Sequence, residues 1–267
     1  MERREFLTGL GGVLASIYFG SPYDSYAGGS REAKISKDKV EEVYLTVDDG
    51  PTSNMRKILD FLDKHPDNKV TFFVVGKNLQ NEENMRLAVE AVRKGHSVGN
   101  HSYSHPEFSD LSYEKAVNEI KKGEQYVDWV YEGANRKNPK LFRFPYGDKG
   151  NKKNRGAIQK YLNENEYTSF NWNIDTLDWQ YYDGKRSLES VLKRVSKASE
   201  GDIILSHDFN TKRKVSTPIE VMEYFIERGI KSKHLGSERF SHTYVELPIH
   251  EKSAEKSRNL VTVVESP

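Results

Sequence analysis

The chain has 267 residues and no cysteine, and its 41 Lys and Arg against 40 Asp and Glu give a net charge of +1. A chain of this length suits one large domain, and single α/β barrels are often this size. The absence of cysteine excludes disulfides, thiolate ligands and a cysteine nucleophile, so reactive groups have to be oxygen or imidazole. The balanced charge gives no strong field for nucleic acid or anionic lipid and favours a neutral polymer as the ligand.

The first 27 residues have the layout of an export signal. Arg3 and Arg4 precede a short apolar run, 7–20, and small residues follow up to Ala27. This pattern predicts a twin-arginine leader cleaved after Ala27, hence contact with the export machinery and a periplasmic, cell-envelope or extracellular location. The alternative is an ordinary amphipathic helix; the run is too short to stay in a membrane as a spanning helix. Residues 28–40 are predicted to be a linker.

Strand and helix patterns then alternate in chain order, which predicts a single α/β domain over 41–247 with a parallel sheet. Short apolar runs predict strands at 43–47, 70–75, 97–99, 141–144, 167–174 and 202–206. Helical spacing of apolar residues predicts helices near 55–62, 85–92, 113–130, 154–163, 188–198 and 218–228. Residues 248–267 are either a charged tail or, at Leu260–Val264, a late strand, and the sequence leaves both open.

Polar side chains follow the ends of five of the predicted strands. They occupy the segments Asp48–Asp49, His101–His105, Arg143–Tyr146, Asp175–Trp179 and the single residue His207. Loops at the carboxyl ends of parallel strands carry the active sites of α/β folds. We therefore expect these segments to converge on one face of the sheet.

The first two segments contain the ligand types of a catalytic metal site. Two imidazoles and one carboxylate leave coordination positions open for water and substrate, whereas structural zinc sites are usually closed by four protein ligands. Because Pro106 disfavours helical geometry at His105, the two histidines are expected in a loop. The alternatives are a structural Asp-Gly-Pro turn at Asp49 and a chance pairing of His101 with His105.

The other segments each have a structural alternative as well. Arg143 can hold a carboxylate ionised, and backbone N–H groups beyond Pro145 can face an oxyanion, yet the segment also reads as a plain turn. The stretch Asp175–Trp179 can be a strand-end cap with a buried tryptophan. A single histidine after an apolar strand, as at His207, is often a structural residue.

The joint order of the five motifs, T-x-D-D-G-P, H-S-x-x-H, R-x-P-Y-G, D-x-x-D-W and L-x-H, resembles the polysaccharide deacetylase family of NodB-type carbohydrate esterases. The resemblance covers residues 41–235 and implies a distorted (β/α)7 barrel with mostly parallel strands. Val47 stands where the family frequently has Phe. The resemblance implies that Asp49, His101 and His105 bind the metal, and that Asp48, oriented by Arg143, is the catalytic base. It implies that His207, tuned by Asp178, is the catalytic acid. It further implies that the backbone N–H of Tyr146 binds the oxyanion, and that Trp179 and Leu205 line the acetyl pocket.

The resemblance implies a metal-dependent hydrolase that removes acetyl groups from an N-acetylated glycan, either a chitin-type oligosaccharide or peptidoglycan. Zinc is the expected cation, with cobalt, manganese or nickel as alternatives. Two other functions remain open: O-deacetylation of acetylated xylan, and non-catalytic glycan binding with sugars stacked on Trp172, Tyr181 and Tyr182. A glycosidase is disfavoured because adjacent Asp48 and Asp49 cannot flank a glycosidic bond. The oligomeric state is left open.

Overall fold

A curled, parallel sheet lies at the centre of residues 40–209 and 216–236, the part of the chain that the computed structural model describes. Its order is β5-β4-β3-β2-β1-β7-β6, and β8 pairs with the start of β1. All pairings between these strands are parallel. The strands are β1 (Glu42–Gly50), β2 (Thr71–Val74), β3 (Ser97–Asn100), β4 (Leu141–Phe142), β5 (Thr168–Ser169), β6 (Ile174–Asp175), β7 (Ile203–His207) and β8 (Lys231–Lys233).

Helices lie between successive strands, except between β5 and β6, as the crossovers of parallel pairing require. They are α1 (Ser53–Asp63), α2 (Glu82–Arg93), α3 (Tyr113–Gly133), α4 (Arg155–Glu164), α5 (Asp178–Tyr182), α6 (Leu188–Val195) and α7 (Thr217–Ile226). Several begin where a polar side chain accepts a backbone N–H of the first turn: Thr52, Asn81, Ser112 and Ser187. None of the helices within the described residues is long and apolar enough to cross a membrane.

The two faces of β1 have different roles. Val43, Leu45 and Val47 are fully buried in the main apolar cluster, which includes residues of α1, α2, α6 and α7. Alternate residues of a strand point to opposite faces, so Tyr44, Thr46 and Asp48 share the inner side of the curled sheet. Tyr44 belongs there to a separate cluster with Phe73, Leu141, Phe170, Ile203 and Leu235. The polar end of this inner side is where the functional side chains collect.

The predicted alternation of strands and helices in a parallel sheet is confirmed, but one predicted strand is divided. Residues 167–174 form β5 and β6, which lie at opposite ends of the sheet. The reason is that the carbonyl groups of Phe170 and Asn171 accept hydrogen bonds from the guanidinium of Arg143 instead of a neighbouring strand. The chain between the two strands therefore crosses the open side of the curled sheet.

Other boundaries also differ from the sequence prediction. The strand predicted over 141–144 ends at Phe142, because Pro145 begins a 3₁₀ turn, Pro145–Gly147. The pattern gave no signal for α5, which has five residues, or for β8, whose sequence is Lys-Ser-Lys. The predicted leader, the linker up to residue 39 and the candidate strand at Leu260–Val264 lie outside the described residues.

We expect Gly99→Ala to lower the free energy of unfolding by about 1–3 kcal/mol, because it overpacks the sheet interior. A Cβ atom at Gly99 comes within 2.6 Å of the buried Phe73 ring and 3.1 Å of Leu141 Cβ. Urea denaturation measures the change. The control is Gly156→Ala in α4, where a Cβ meets nothing within 4 Å and helix propensity predicts no loss. Equal midpoints for Gly99→Ala and the unsubstituted protein would refute this packing.

Candidate active site

An irregularity at the end of β1 turns two adjacent carboxylates toward the same side. The pairing of β1 with β2 shifts between Asp48 and Gly50, and Asp49 has a positive φ of 71°. A regular strand places neighbouring side chains on opposite faces, and a bulge removes this restriction. As a result, carboxylate oxygens of Asp48 and Asp49 lie 3.7 and 3.5 Å from Nε2 of His101.

The two histidines occupy the loop that follows β3, as expected from Pro106. His105 has a φ of 62°, which is incompatible with a right-handed helix, and its backbone N–H donates to the hydroxyl of Ser102 at 3.0 Å. Nε2 of His105 lies 3.0 Å from Oδ1 of Asp49. One ligand atom from each of Asp49, His101 and His105 lies within 4.8 Å of the others. The structure therefore brings these three residues together.

The chemistry of this group fits a divalent cation. Nδ1 of His101 is 2.8 Å from the carbonyl oxygen of Arg143, so it carries the proton and leaves the Nε2 lone pair free for a metal. Oδ1 of Asp49 is buried and accepts no hydrogen bond from the described residues. In a tetrahedral site with metal–ligand bonds near 2.1 Å, two ligand atoms are about 3.4 Å apart. The distances from Asp49 Oδ1 to Nε2 of His105 and of His101 are 3.0 and 3.5 Å, on either side of this value.

The electrostatics of Asp49 agree with a ligand role. Burial opposes ionisation of its carboxyl group, but the imidazoles of His105 and His101 hold the pKa of Asp49 well below its usual range. A metal ligand has to be deprotonated, so a carboxylate with a low pKa is available as a ligand over the whole neutral range.

Asp48 is held by a fully buried arginine rather than by the histidines. Nη1 of Arg143 donates to Oδ1 of Asp48 at 2.8 Å and to the hydroxyl of Thr46 at 2.6 Å. The guanidinium is 0% exposed and lies 4.2 Å from the centre of the Phe73 ring. These contacts fix the direction of the Asp48 carboxylate, whose Oδ2 faces Nε2 of His101.

His207 ends β7 beside Asp48, because these two residues are register partners on neighbouring strands. Its Nδ1 is 2.7 Å from Oδ1 of the buried Asp178, and Oδ2 of Asp178 accepts the His207 backbone N–H. The hydroxyl of Thr217 also donates to Oδ2. Burial lowers the pKa of His207, but the carboxylates of Asp178, Asp49 and Asp48 outweigh it and raise the pKa to about 10.

The remaining predicted residues are Tyr146, Leu205 and Trp179. The Tyr146 ring packs on His105 with 4.6 Å between ring centres, and its φ of 57° marks a sharp backbone turn. Leu205 is buried and is the register partner of Thr46, so both face the inner side of the sheet. Trp179 is half-buried in α5, directly after Asp178.

The sequence analysis missed two residues that support the site. Asp208 accepts the backbone N–H and the hydroxyl of Thr52 at 2.8 and 2.9 Å, so it joins the end of β7 to the turn after β1. Phe209 stacks on the His207 ring with 5.2 Å between centres. Asp208 is a carboxylate two positions after the strand predicted over 202–206, and the rule that selected the other segments would also have found it.

Comparison with known proteins agrees with the geometry. The family model described as polysaccharide deacetylase matches residues 36–170. A peptidoglycan-N-acetylglucosamine deacetylase of Bacillus cereus is 32% identical over 170 residues, which are 62% of this chain and 55% of that protein. The chain thus matches about half the length of this curated relative.

Two solved structures have a similar fold. One is a family 4 carbohydrate esterase from Streptomyces lividans in complex with acetate, with a TM-score of 0.59, 26% identity, and coverage of 74% of this chain and 94% of that chain. The other is a CE4 family pseudoenzyme from Bacillus anthracis, with a TM-score of 0.57, 28% identity, and coverage of 72% and 63%. The predicted (β/α)7 fold is confirmed by the first likeness.

We expect Asp178→Asn to lower the pKa of His207, because the substitution removes the carboxylate that is hydrogen-bonded to its Nδ1. NMR titration of histidine-labelled, metal-free protein measures this. Folding raises the His207 pKa from 6.5 to about 10. The contribution of the His207–Asp178 pair to the stability of the folded protein is therefore complete below pH 6.5 and is lost as the pH rises through 10.

The control for this titration is Asp175→Asn. Asp175 is a nearby carboxylate whose Oδ1 accepts the Leu177 N–H rather than a proton of the imidazole. Its removal should lower the His207 pKa by less than the removal of Asp178. Equal shifts in the two variants would show that the hydrogen bond to Asp178 has no special role.

Proposed function

Because this chain belongs to the polysaccharide deacetylase family, we propose that it is a metal-dependent hydrolase that removes acetyl groups from an N-acetylated glycan. The observation that carries the proposal is the arrangement around the group of Asp49, His101 and His105. A candidate base, Asp48, and a candidate acid, His207, occupy paired positions on adjacent strands beside it. Such a set supports hydrolysis of an acyl group.

Asp48 acts as the general base for the attacking water. A divalent cation bound by Asp49, His101 and His105, with zinc as our choice, supplies Lewis acidity for the acetyl carbonyl and a water of lowered pKa. Asp48 accepts the proton of the attacking water. The hydrogen bond of 2.8 Å from Arg143 fixes the direction of this carboxylate, which supports its role as the base.

His207 acts as the general acid that protonates the leaving group. An amine leaves the tetrahedral intermediate readily only after its nitrogen is protonated. With a pKa of about 10, His207 is protonated at neutral pH, and because Nδ1 is bound to Asp178, Nε2–H is the proton it can donate. The products are acetate and a free amine on the sugar. We assign the backbone N–H of Tyr146 to the oxyanion, and Trp179 and Leu205 to the acetyl group.

Two considerations favour N-deacetylation over O-deacetylation of xylan. A sugar alkoxide is a better leaving group than an unprotonated nitrogen, which would leave as its anion, so an ester needs a strong general acid less than an amide does. A buried His–Asp pair is therefore best explained by an amide substrate. The B. cereus relative is named as a deacetylase of N-acetylglucosamine in peptidoglycan, which supports the same choice.

The substrate is tested by acetate release from a panel of glycans. The panel contains an N-acetylglucosamine oligosaccharide, peptidoglycan and acetylated xylan, each with and without a chelator. We expect release from one or both N-acetylated glycans, loss of activity with the chelator, and recovery when zinc is added. Release from acetylxylan alone would establish the O-deacetylase alternative. No release from any member would favour the non-catalytic glycan-binding alternative; one of the similar solved structures is named as a pseudoenzyme.

Removal of either proton-transfer group should lower the rate but leave the metal in place. We expect Asp48→Asn and His207→Ala each to reduce kcat about 10²- to 10⁴-fold. Metal content, measured by elemental analysis, should be unchanged in both. The control is His101→Ala, which should lose the metal together with the activity. Near-normal acetate release from either of the first two variants would contradict its assigned role.

We further propose that residues 1–27 direct export, so the enzyme acts on glycan outside the cytoplasm. The paired arginines and the apolar run that follows them support this. N-terminal sequencing of the protein recovered from the cell envelope or medium is expected to begin after Ala27. A chain that still starts with Met1 would contradict cleavage at this position.

A further inference from the structure

We propose that the outer face of α3 carries a second glycan-binding site, which holds a part of the polymer that is not being hydrolysed. This surface, here called the α3 face, consists of Tyr103, Tyr126, Trp129 and the pocket beside Trp129. The inference rests on the proposed function for the identity of the polymer. It concerns residues that have no part in the proposed chemistry.

The α3 face begins in the loop that carries the metal ligands. Tyr103 lies between His101 and His105, and Glu119 of α3 accepts the backbone N–H groups of Tyr103 and Ser104 at 3.1 and 2.8 Å. The helix also lies close to this loop at Gly123, where an added Cβ would be 2.8 Å from the Ser102 carbonyl carbon. The α3 face therefore adjoins the loop that carries His101 and His105.

Three aromatic rings extend from that loop along the helix. The ring centres of Tyr103 and Tyr126 are 6.0 Å apart, and those of Tyr126 and Trp129 are 5.0 Å apart. Nε2 of Gln80 donates to the hydroxyl oxygens of both tyrosines at 3.1 Å, which fixes their positions. Because the two tyrosine rings stack on each other and the ammonium group of Lys122 lies 5.1 Å from the Tyr103 ring centre, Trp129 is the ring of this row that is open to a sugar.

The exposure of Trp129 supports a binding role. Among the described residues, the large hydrophobic side chains on the surface are Trp129 and Tyr146, each 44% exposed. Tyr146 packs on the metal ligand His105 and belongs to the proposed active site. Trp129 is the other, and it forms part of a pocket.

This pocket has a volume of about 330 Å³, at the lower end of the range for small-ligand sites. Its walls combine aromatic faces with carboxylates and amides, which are hydrogen-bonding partners for sugar hydroxyls. The residues are Lys121, Glu124, Gln125, Asp128, Trp129, Glu132, Lys140, Tyr161, Asn165 and Tyr167. On the helix, Trp129 lies between the pocket residues and Tyr126, because successive residues are separated by about 100° around the axis.

The charges of the pocket favour a neutral ligand. Three carboxylates are opposed by two lysines, whose ammonium groups lie 5.8 Å from the Tyr161 ring centre and 5.2 Å from that of Tyr167. The amide of Asn138 donates to both Glu124 and Asp128, at 2.9 and 2.8 Å, and so holds these two side chains in place. Neither sign dominates, which suits a polyol chain better than a nucleic acid or another strongly charged ligand.

The test uses the Asp48→Asn protein, so that bound glycan is not hydrolysed, and an N-acetylglucosamine hexamer as the probe. We expect the indole N–H signal of Trp129 in the NMR spectrum to shift saturably as the hexamer is added. Trp129→Ala and, as a second variant, Gln125→Ala should weaken hexamer binding about three- to tenfold. The control is Tyr224→Ala on α7, where Arg228 covers the ring at 3.7 Å, and it should bind as before.

Activity adds a second readout. In the otherwise unsubstituted enzyme, Trp129→Ala and Gln125→Ala should raise KM for polymer about three- to tenfold and leave kcat and the KM for a trimer unchanged. No shift of Trp129, or equal effects on trimer and polymer, would overturn the second site even if the enzyme is active. A saturable shift in a protein that hydrolyses no glycan would instead retain this site and reject the proposed function.

Discussion

The structure of the site depends on one buried cation, the guanidinium of Arg143. An ionised group inside an apolar sheet is costly unless each of its donors has a partner. Arg143 has four: the carboxylate of Asp48, the hydroxyl of Thr46, and the carbonyl groups of Phe170 and Asn171. Arg143 itself follows β4, and its partners come from β1 and from the crossing segment between β5 and β6. One side chain therefore joins three parts of the curled sheet.

The same residue links the candidate base to the candidate metal ligands. The backbone carbonyl of Arg143 accepts Nδ1–H of His101, while its side chain holds Asp48. Both the direction of the imidazole and that of the carboxylate thus follow from the position of β4. Removing the guanidinium would leave the buried Asp48 carboxylate without the hydrogen bond that orients it. We regard Arg143 as the residue that holds Asp48 in position as the candidate base.

Much of this was accessible from the sequence, because it depends on local patterns. Alternating strands and helices predict a parallel sheet, and polar residues at strand ends predict where Asp49, His101 and His105 meet. The division of the strand predicted over 167–174 was not predictable, because it is caused by hydrogen bonds from Arg143, nearly thirty residues away in the chain. The α3 face was missed for the same reason, since it exists only when the loop around Tyr103 packs on the helix.

The account is tested most directly by the crystal structure of the zinc-loaded protein, with the metal located by its anomalous scattering. One strong peak is expected about 2.0–2.2 Å from an Asp49 oxygen and from Nε2 of both His101 and His105. Asp48 should remain on Arg143 and outside the coordination sphere. A peak that includes Asp48 as a ligand, or that lies away from the two imidazoles, would contradict the assignment of base and metal site.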